Sequence, residues 1–463
     1  MKKHTLSTIV IFLFLALSTS CSKDWFDIKA DKNQTIPSTL DDLELLLDDY
    51  NTISANTPAL GEVSSDGHHL LESTWPNYLI DFPDYNNSTN AYTWSYKQPY
   101  TAVVDWNQAY RKIFICNLVL VNIEKIDRGL HNAVQYDRIK GNALFIIAKT
   151  YFEIAQLYAE PYKASTISKF GLPIREGIDI TIKSQRAGVK ETYERIENAI
   201  KSAIPLLPTK PSLATRASKN SCYALLSRFY LLTGNYGLCV KYSDSSLSIN
   251  NKLLDFNSLP IGRLGIGIFN PEVIFHSAML TIPMLSISDS YIDTSLYNDY
   301  AENDLRKSVF FQEVDSGYIF IGDYSNDGEK FSGIANDEIL LNRAEAYARL
   351  NNIQLALMDV NNLLKTRFRT DENGHSTYQP FEIDNQKDAI DLIVTERHKE
   401  LIYRGIRWSD LRRLKDDALH APKIERTIGG QVYRLSHSYQ YTLPLPEDEM
   451  SFSSLEQNPG WSN

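Results

Sequence analysis

Two segments of the chain repeat one spacing of small and aromatic residues, and this internal repeat restricts the fold more than any other feature. Gly234-Asn235 and Asn351-Asn352 stand midway in the two copies, and both are favourable turn sequences. Small side chains let two helices approach closely while the aromatic ring fills the space beside them, so each copy predicts a helix hairpin of the tetratricopeptide type. The matching positions are Ser227, Tyr230, Cys239, Ser243 and Ser246 in the first copy, and Ala344, Tyr347, Ala356, Val360 and Leu363 in the second.

Three further stretches carry helical patterns. Ala148 and Tyr151 belong to a looser pair, whose second helix ends before Pro208 and carries Ile196, Ile200 and Ala203. A helix from about Tyr110 to Ile126 and a last helix from Ala389 to Leu414 follow from apolar residues at helical spacing. Most of the chain is therefore predicted to be helical.

We predict a mostly α fold with little β-structure, in which tetratricopeptide-like helix pairs form a scaffold. The pairs occupy about 110–250 and 334–368, and the C-terminal helix occupies about 389–414. Long irregular, loop-rich excursions at 64–109 and 255–333 interrupt them. Because a repeat scaffold is rigid while its loops can vary, we expect these excursions to carry recognition.

The N-terminus has the pattern of an export signal. Lys2 and Lys3 precede an unbroken apolar run from Ile9 to Leu17, and Ser18-Thr19-Ser20 places small residues directly before Cys21. The run is too short to span a bilayer core of roughly 30 Å, so residues 1–20 are predicted to be a signal peptide that is removed. Cys21 would then be the first residue of a domain over 21–463 and the site of lipidation. An ordinary secreted protein is the alternative.

Charge and cysteine content exclude some classes of protein. The formal net charge is −10, and a uniformly acidic chain is a poor nucleic-acid binder, so no nucleic-acid partner is expected. Besides Cys21 the chain has only Cys116, Cys222 and Cys239, too few for a fold that depends on disulfides. Cys239 occupies the repeat position of Ala356 and is predicted to be a small core residue. A disulfide between Cys222 and Cys239 is the open alternative.

The segment from Trp75 to Trp106 is rich in aromatic residues and interleaves them with Asn, Ser, Thr, Pro and Asp. Flat aromatic faces stack on the C–H patches of sugar rings, and polar side chains bind the hydroxyls around them. Packing inside the loops is the alternative for any one of these rings. The first ligand-binding candidates are Asp66, Trp75, Trp94 and Tyr96.

The charged segment from Glu396 to Arg413 resembles acid/base machinery in composition only. Glu396 and Glu400 are four residues apart and share a helix face, but His398 points elsewhere. We therefore favour a structural role in which Arg407, Asp410 and Arg413 join these glutamates in a network of ion pairs that fixes the final helix on the repeats. Asp66-Gly67-His68-His69 lacks evident further ligands, so no metal or other cofactor is expected. The sequence favours a non-catalytic protein.

Five segments, in order, carry a shared pattern: Asp24-Trp25-Phe26-Asp27-Ile28, Ala199 to Pro208, Asn342 to Tyr347 with Asp359-Val360-Asn361 and Arg367, Glu396 to Arg413, and Leu443 to Pro446 with Gln457 to Trp461. With these segments the chain resembles the SusD/RagB family, the glycan-binding surface lipoproteins of Bacteroidetes, and the resemblance extends from residue 21 to 461. The family commonly has Glu at the position of Arg404, which changes the local ion pairing.

The resemblance implies an outer-membrane lipoprotein, anchored through Cys21 and facing the cell surface, which binds a glycan and hands it to a SusC-like TonB-dependent transporter. Ser22-Lys23-Asp24 is similar to the charged tag that directs such lipoproteins outward. A peptide or glycopeptide receptor and a protein-binding repeat scaffold are the alternatives. The family also builds its ligand face from the stretch before the third helix pair, which here offers Tyr291, Tyr297, Tyr300, Tyr318 and Tyr324.

Overall fold

The computed structural model describes residues 37–260, 266–325 and 328–461. The chain divides into a short unit, Met1–Thr39, and a large unit, Leu40–Asn463. The predicted signal peptide, the lipidation site Cys21, the Ser22-Lys23-Asp24 tag and the Asp24 to Ile28 motif lie outside the described residues.

Helices are the main regular structure in the described part of the large unit, as the repeat predicts. Within the described ranges, none of them is long and apolar enough to cross a bilayer. The helices are α1 Leu40–Asp48, α2 Leu60–Val63, α3 Pro83–Thr93, α4 Val104–Ile123, α5 Ala133–Tyr158, α6 Val189–Ala203, α7 Lys219–Leu232, α8 Tyr236–Ile249, α9 Thr294–Asn298, α10 Arg306–Phe310, α11 Asn336–Arg349, α12 Ile353–Lys365, α13 Gln386–Glu400, α14 Arg407–Leu414 and α15 Glu447–Ser453.

The two repeat copies form the predicted hairpins, α7 with α8 and α11 with α12, and α8 packs on α11 so that the hairpins stack. Gly234 and Asn351 have φ values of +74° and +61°, the left-handed conformation that often ends a helix. Small residues lie at the contacts, where Ser227 Oγ is 2.7 Å from Ser243 Oγ. Asn342 Nδ2 of α11 donates to Ser227 Oγ at 3.2 Å. The repeat positions are thus where polar side chains join neighbouring helices.

The three described cysteines are buried and free. Cys239 occupies a small core position and its thiol donates to the Asn342 carbonyl oxygen at 3.5 Å. Burial raises the pKa of the Cys239 thiol to about 12. The core prediction for Cys239 is confirmed, and the alternative of a disulfide with Cys222 is wrong.

The earlier helix pair is also confirmed, because α5 carries Ala148 and Tyr151 and packs on α6. α4 packs on α5 and on α1. It begins at Val104, earlier than the predicted start at Tyr110.

The 64–109 excursion is more regular than predicted, because its polar stretch forms α3. Asn87 Nδ2 donates to the Thr101 carbonyl oxygen at 3.0 Å, and Asn90 Nδ2 donates to that of Gln98 at 2.9 Å. These bonds give the buried side-chain amide nitrogens of Asn87 and Asn90 a hydrogen-bond acceptor. The prediction of an irregular loop is therefore wrong for Pro83–Thr93.

The strands of the described residues form antiparallel pairs, which agrees with the prediction of little β-structure. The β1–β5 pair joins the two excursions and places His69 opposite Tyr291. The pairs are β1 His68–Leu70 with β5 Ser290–Ile292, β2 Phe170–Pro173 with β3 Arg186–Gly188, β4 Val273–Phe275 with β8 Ile334–Ala335, β6 Phe311–Val314 with β7 Gly317–Phe320, and β9 Glu425–Ile428 with β10 Gln431–Arg434.

The predicted C-terminal helix is in fact two helices, α13 and α14. Between them Tyr403 and Gly405 have φ values of +56° and +70°, which no α-helix contains. The Gly405 N–H donates to Glu62 Oε2 at 3.0 Å. The single-helix prediction fails because this turn is held by a residue far away in the sequence.

Glu396 and Glu400 lie in buried ion pairs, as the structural interpretation predicts, but with other partners. Glu396 Oε2 accepts from Arg306 at 2.6 Å, and Glu400 accepts from Arg306 at 3.1 Å and Arg367 at 2.8 Å. The predicted pairing of these glutamates with Arg407 and Arg413 is wrong.

The remaining members of the C-terminal signature also pair with distant or neighbouring groups. Asp410 accepts from Arg397 and from Arg413, both at 2.8 Å. Arg404 pairs with Asp337 at 2.8 Å and covers the ring of Tyr324 at 3.8 Å. The arginine in place of the family's glutamate therefore has its own buried acidic partner.

Candidate functional site

The two excursions meet at one face of the large unit. The β1–β5 pair joins their backbones, and the Asp293 N–H donates to the Gly67 carbonyl oxygen at 3.1 Å. The Tyr78 hydroxyl donates to the Asp289 carboxylate. The two regions thus meet through backbone pairing as well as through side chains.

Four aromatic side chains from both excursions form what we call the aromatic strip: His69, Tyr291, Tyr297 and Tyr318. The Tyr297 and Tyr318 rings stack with centroids 3.5 Å apart and planes 11° apart. The His69 and Tyr291 rings lie 6.0 Å apart. His69, Tyr297 and Tyr318 are half-buried, so part of each ring is open to a ligand.

Charged groups surround the stacked pair. Lys307 Nζ lies 5.0 Å from the centre of the Tyr297 ring and pairs with Glu302. Glu313 is the cross-strand partner of Tyr318, so the two side chains lie on the same face of the hairpin. Burial, together with the neighbouring Tyr318 hydroxyl, raises the pKa of Tyr297 to about 12, so it remains a neutral phenol. The strip therefore combines apolar faces with charged hydrogen-bonding groups.

Trp75, Trp94 and Tyr300, which the sequence predicts to bind ligand, are buried in the core, and Tyr291 of the strip is also buried, at 9% exposed. Trp75 is 6% exposed, while Trp94 and Tyr300 are each 1% exposed. Trp94 Nε1 donates to the Ser64 carbonyl oxygen at 2.9 Å, and the Tyr300 hydroxyl donates to that of Lys399 at 2.7 Å. The prediction that these rings offer an open face is wrong, because each is packed in the core.

Tyr96 and Asp66 make their contacts with residues outside the strip. The Tyr96 ring packs 5.0 Å from Tyr100 and 4.8 Å from Trp461. Asp66 accepts two hydrogen bonds from Arg407, at 2.6 and 2.7 Å. Burial would raise the pKa of Asp66, but the Arg407 guanidinium outweighs it and holds that pKa well below its usual range. Asp66 links β1 to α14 and has its charge already matched.

The neighbouring histidines separate, as their alternation on a strand requires. His68 is buried between the rings of Tyr92 and Tyr403, at 6.0 and 5.9 Å, and burial lowers its pKa. His69 points to the opposite side and joins the strip. Across the described ranges, no three His, Cys, Asp or Glu side chains are placed to hold a metal ion.

Sequence reasoning missed His69 as a strip residue and placed Tyr318 only in the second group of aromatics. The sequence signal that could have identified Tyr318 was strand pairing. In a β-hairpin with Gly317 at its turn, Tyr318 lies beside the turn and faces outward. Of the first four candidates, none lies in the strip. Of the later group, Tyr291, Tyr297 and Tyr318 do, whereas Tyr324 is buried.

Comparisons with known proteins agree over most of the chain. Residues 24–231 match a family described as "Starch-binding associating with outer membrane", and residues 337–461 match one described as "SusD family". The SusD-like protein P2 of Formosa agariphila is 23% identical over 434 residues, covering 77% of this chain and 80% of that protein.

Solved structures show the same fold at low identity. A SusD superfamily protein of Bacteroides thetaiotaomicron superposes with a TM-score of 0.72 at 20% identity, covering 91% of this chain and all of that one. A laminarin binding SusD-like protein superposes with a TM-score of 0.62 at 17% identity, covering 90% and 98%.

Proposed function

Because the chain belongs to the SusD family, we propose that it is a cell-surface lipoprotein that binds an oligosaccharide on the aromatic strip and delivers it to a SusC-like TonB-dependent transporter. The observation that carries the binding step is the half-buried stack of Tyr297 and Tyr318 where the two excursions meet. A sugar ring can lie against such a stack while its hydroxyls bind the charged groups beside it.

The composition of the strip favours a glycan. Tyrosine gives a large contact area with few rotatable bonds to immobilise, and Glu313 and Lys307 supply an acceptor and a donor for hydroxyl groups. The laminarin binding SusD-like protein, which shares the fold, is consistent with a carbohydrate ligand. We assign no catalytic role, since Glu396 and Glu400 are held in buried ion pairs.

Glycan-array binding followed by calorimetry tests the proposal. The Tyr318→Ala and Tyr297→Ala variants should each weaken glycan binding about 5- to 150-fold, because stacking on one ring contributes about 1–3 kcal/mol by analogy with other flat ligands. Phe452→Ala, which removes an exposed ring outside the strip, is the matched control. Unchanged affinity in both tyrosine variants, or binding of peptides but no glycans, would refute the assignment.

Anchoring and delivery need separate tests. The Cys21→Ala variant should no longer be found in the membrane fraction, and a palmitate analogue should no longer label it in cells. Deleting the transporter gene should abolish uptake of the bound glycan while surface binding persists. Release of sugar from a polysaccharide by the purified protein would contradict the non-catalytic assignment.

A further inference from the structure

A pocket of about 180 Å³ lies between α3, the start of α4 and residues 280–283. None of the aromatic-strip residues lines it. One wall is apolar and includes Val103, Leu280 and Ile282. The polar side is formed by Asp84, Asn87, Ser88, Asp105 and Thr281, and we call the whole the acceptor pocket.

Two buried side chains of the acceptor pocket have an unfilled acceptor. Asp105 is 2% exposed; its Oδ2 accepts from the N–H groups of Ala59 and Leu60 at 2.9 and 2.8 Å, while Oδ1 has no partner among the described residues. Asn87 is 4% exposed; its Nδ2 donates to the Thr101 carbonyl oxygen, and its Oδ1 is likewise unpaired within that part of the chain. A buried polar atom without a partner costs about 1–3 kcal/mol, so two in one pocket point to a ligand.

The open hydrogen-bonding capacity of the pocket is mainly that of acceptors. Ser88 already donates its hydroxyl to the Asp84 carbonyl oxygen at 2.7 Å, which leaves the oxygen lone pairs free. Asp84 adds an exposed carboxylate at the rim. No Lys, Arg or His lines the pocket. Burial raises the pKa of Asp105 to about 7, against the backbone hydrogen bonds from Leu60 and Ala59 and the attraction of Lys112. Lys112 Nζ donates to the Ala55 carbonyl oxygen at 2.6 Å, so it leaves Asp105 Oδ1 without a hydrogen-bond donor.

We propose that the acceptor pocket binds a primary ammonium group, with Asp105 Oδ1 and Asn87 Oδ1 accepting its hydrogen bonds and the apolar wall covering the attached carbon skeleton. An ammonium is the donor-only cation that fits this set of acceptors. The ammonium has two sources, an amino sugar or the N-terminus of a peptide. The proposal goes beyond glycan capture on the strip and does not depend on it.

Binding of small amines to the purified full-length protein, followed by calorimetry or saturation-transfer NMR, tests this inference. Glucosamine represents the first source and alaninamide the second, and glucose and lactamide are their neutral counterparts. At least one amine should bind, at least tenfold more tightly than its counterpart, and the amine that binds identifies the source. Equal binding of amine and neutral counterpart, or no amine binding, would overturn the proposal.

Variants locate the site. Asp105→Asn keeps an oxygen for the Ala59 and Leu60 N–H groups but replaces the free acceptor Oδ1 by an amide NH2 group. This variant should weaken amine binding at least tenfold. Asp81→Asn makes the same charge change outside the pocket, where Asp81 accepts from Asn86 at 2.8 Å, and should have no effect.

A third variant keeps the test decisive if Asp105→Asn fails to fold. Thr281→Trp adds a bulky ring at the exposed rim of the pocket and should block amine binding. If amine binding survives both Asp105→Asn and Thr281→Trp, the amine binds elsewhere and the proposal is refuted. Tyr318→Ala should leave amine binding intact, so a failure of the glycan-binding proposal is recognised separately.

Discussion

Replacing Arg306 by Met tests the buried ion network that joins the second excursion to α13. Arg306 is fully buried and donates to the Asp304 carboxylate at 2.7 Å, to Glu396 at 2.6 Å and to Glu400 at 3.1 Å. Methionine fills a similar volume but leaves these carboxylates without this shared cation. Removing one partner of a buried ion pair costs about 3–5 kcal/mol, and we expect a loss of that size in the free energy of unfolding at neutral pH.

The loss should depend on pH. Burial raises the pKa of Asp304 and of Glu400, but Arg306 outweighs it at Asp304, and Arg367 with Arg306 outweighs it at Glu400, so both pKa values lie below the usual ones. In the parent protein these groups add stability above the unfolded pKa of about 4, and that stability is lost as pH falls through the folded values. In Arg306→Met both groups lose a cation, so both pKa values rise. Asp304 loses the charge that outweighed its burial, so its ionisation costs stability as pH increases, whereas Glu400 keeps Arg367. The deficit should therefore shrink between pH 7.5 and pH 5.

Urea denaturation followed by circular dichroism at the two pH values measures this effect. Arg128→Met is the matched control, because Arg128 pairs with Asp137 at the surface with its side chain 51% exposed. Exposed pairs contribute about 0–1 kcal/mol, so this variant should unfold nearly as the parent does. A deficit in Arg306→Met below about 1 kcal/mol, or one equal at both pH values, would refute the reasoning.

Three further predictions concern the core and the turn. Trp94→Ala should lower the free energy of unfolding by about 3–5 kcal/mol, as large-to-small core changes do, while the folded variant keeps its glycan affinity. A loss of glycan affinity in the folded variant would show instead that Trp94 contacts the ligand. Gly405→Ala should cost about 1–2 kcal/mol in urea denaturation because φ is +70° and a Cβ would lie 3.1 Å from Met279 Sδ; an unchanged midpoint would contradict this. Cys116, Cys222 and Cys239 should not react with a thiol reagent in the native protein, and all three should react after denaturation. If two of the three thiols stay unreactive after denaturation, those two are joined in a disulfide.

The helix hairpins could be predicted because their signal is local. Ser227 and Tyr230 are one turn apart, and so are Ala344 and Tyr347, so the spacing alone identifies a helix face and its small-residue contacts. The turn at Asn351 follows from residue type, since asparagine tolerates a positive φ. Periodicity and turn chemistry act within a few residues, and this is why the scaffold is confirmed while its distant contacts are not.

Exposure and ion pairing could not be predicted because they depend on contacts between distant residues. Trp94 lies in a polar stretch and resembles an exposed ring, yet its Nε1 finds the Ser64 carbonyl oxygen and the ring is buried. Glu396 pairs locally with Lys399, one turn away, but its other partner is Arg306, 90 residues earlier in the chain. Residue type shows that a glutamate needs a cation; it does not show which cation the fold places beside it.

The ion network and the aromatic strip are physically connected, which links stability to recognition. The Arg306 guanidinium lies 5.5 Å from the centre of the Tyr300 ring, Tyr300 packs edge-on against Phe311 at 5.2 Å, and Phe311 meets Tyr297 at 5.7 Å. Side chains held by packed neighbours lose little freedom when a ligand binds. Arg306→Met should therefore weaken glycan binding as well as folding, while Tyr318→Ala should weaken binding alone. Calorimetry on folded Arg306→Met decides this: full glycan affinity would show that the strip is positioned independently of the network.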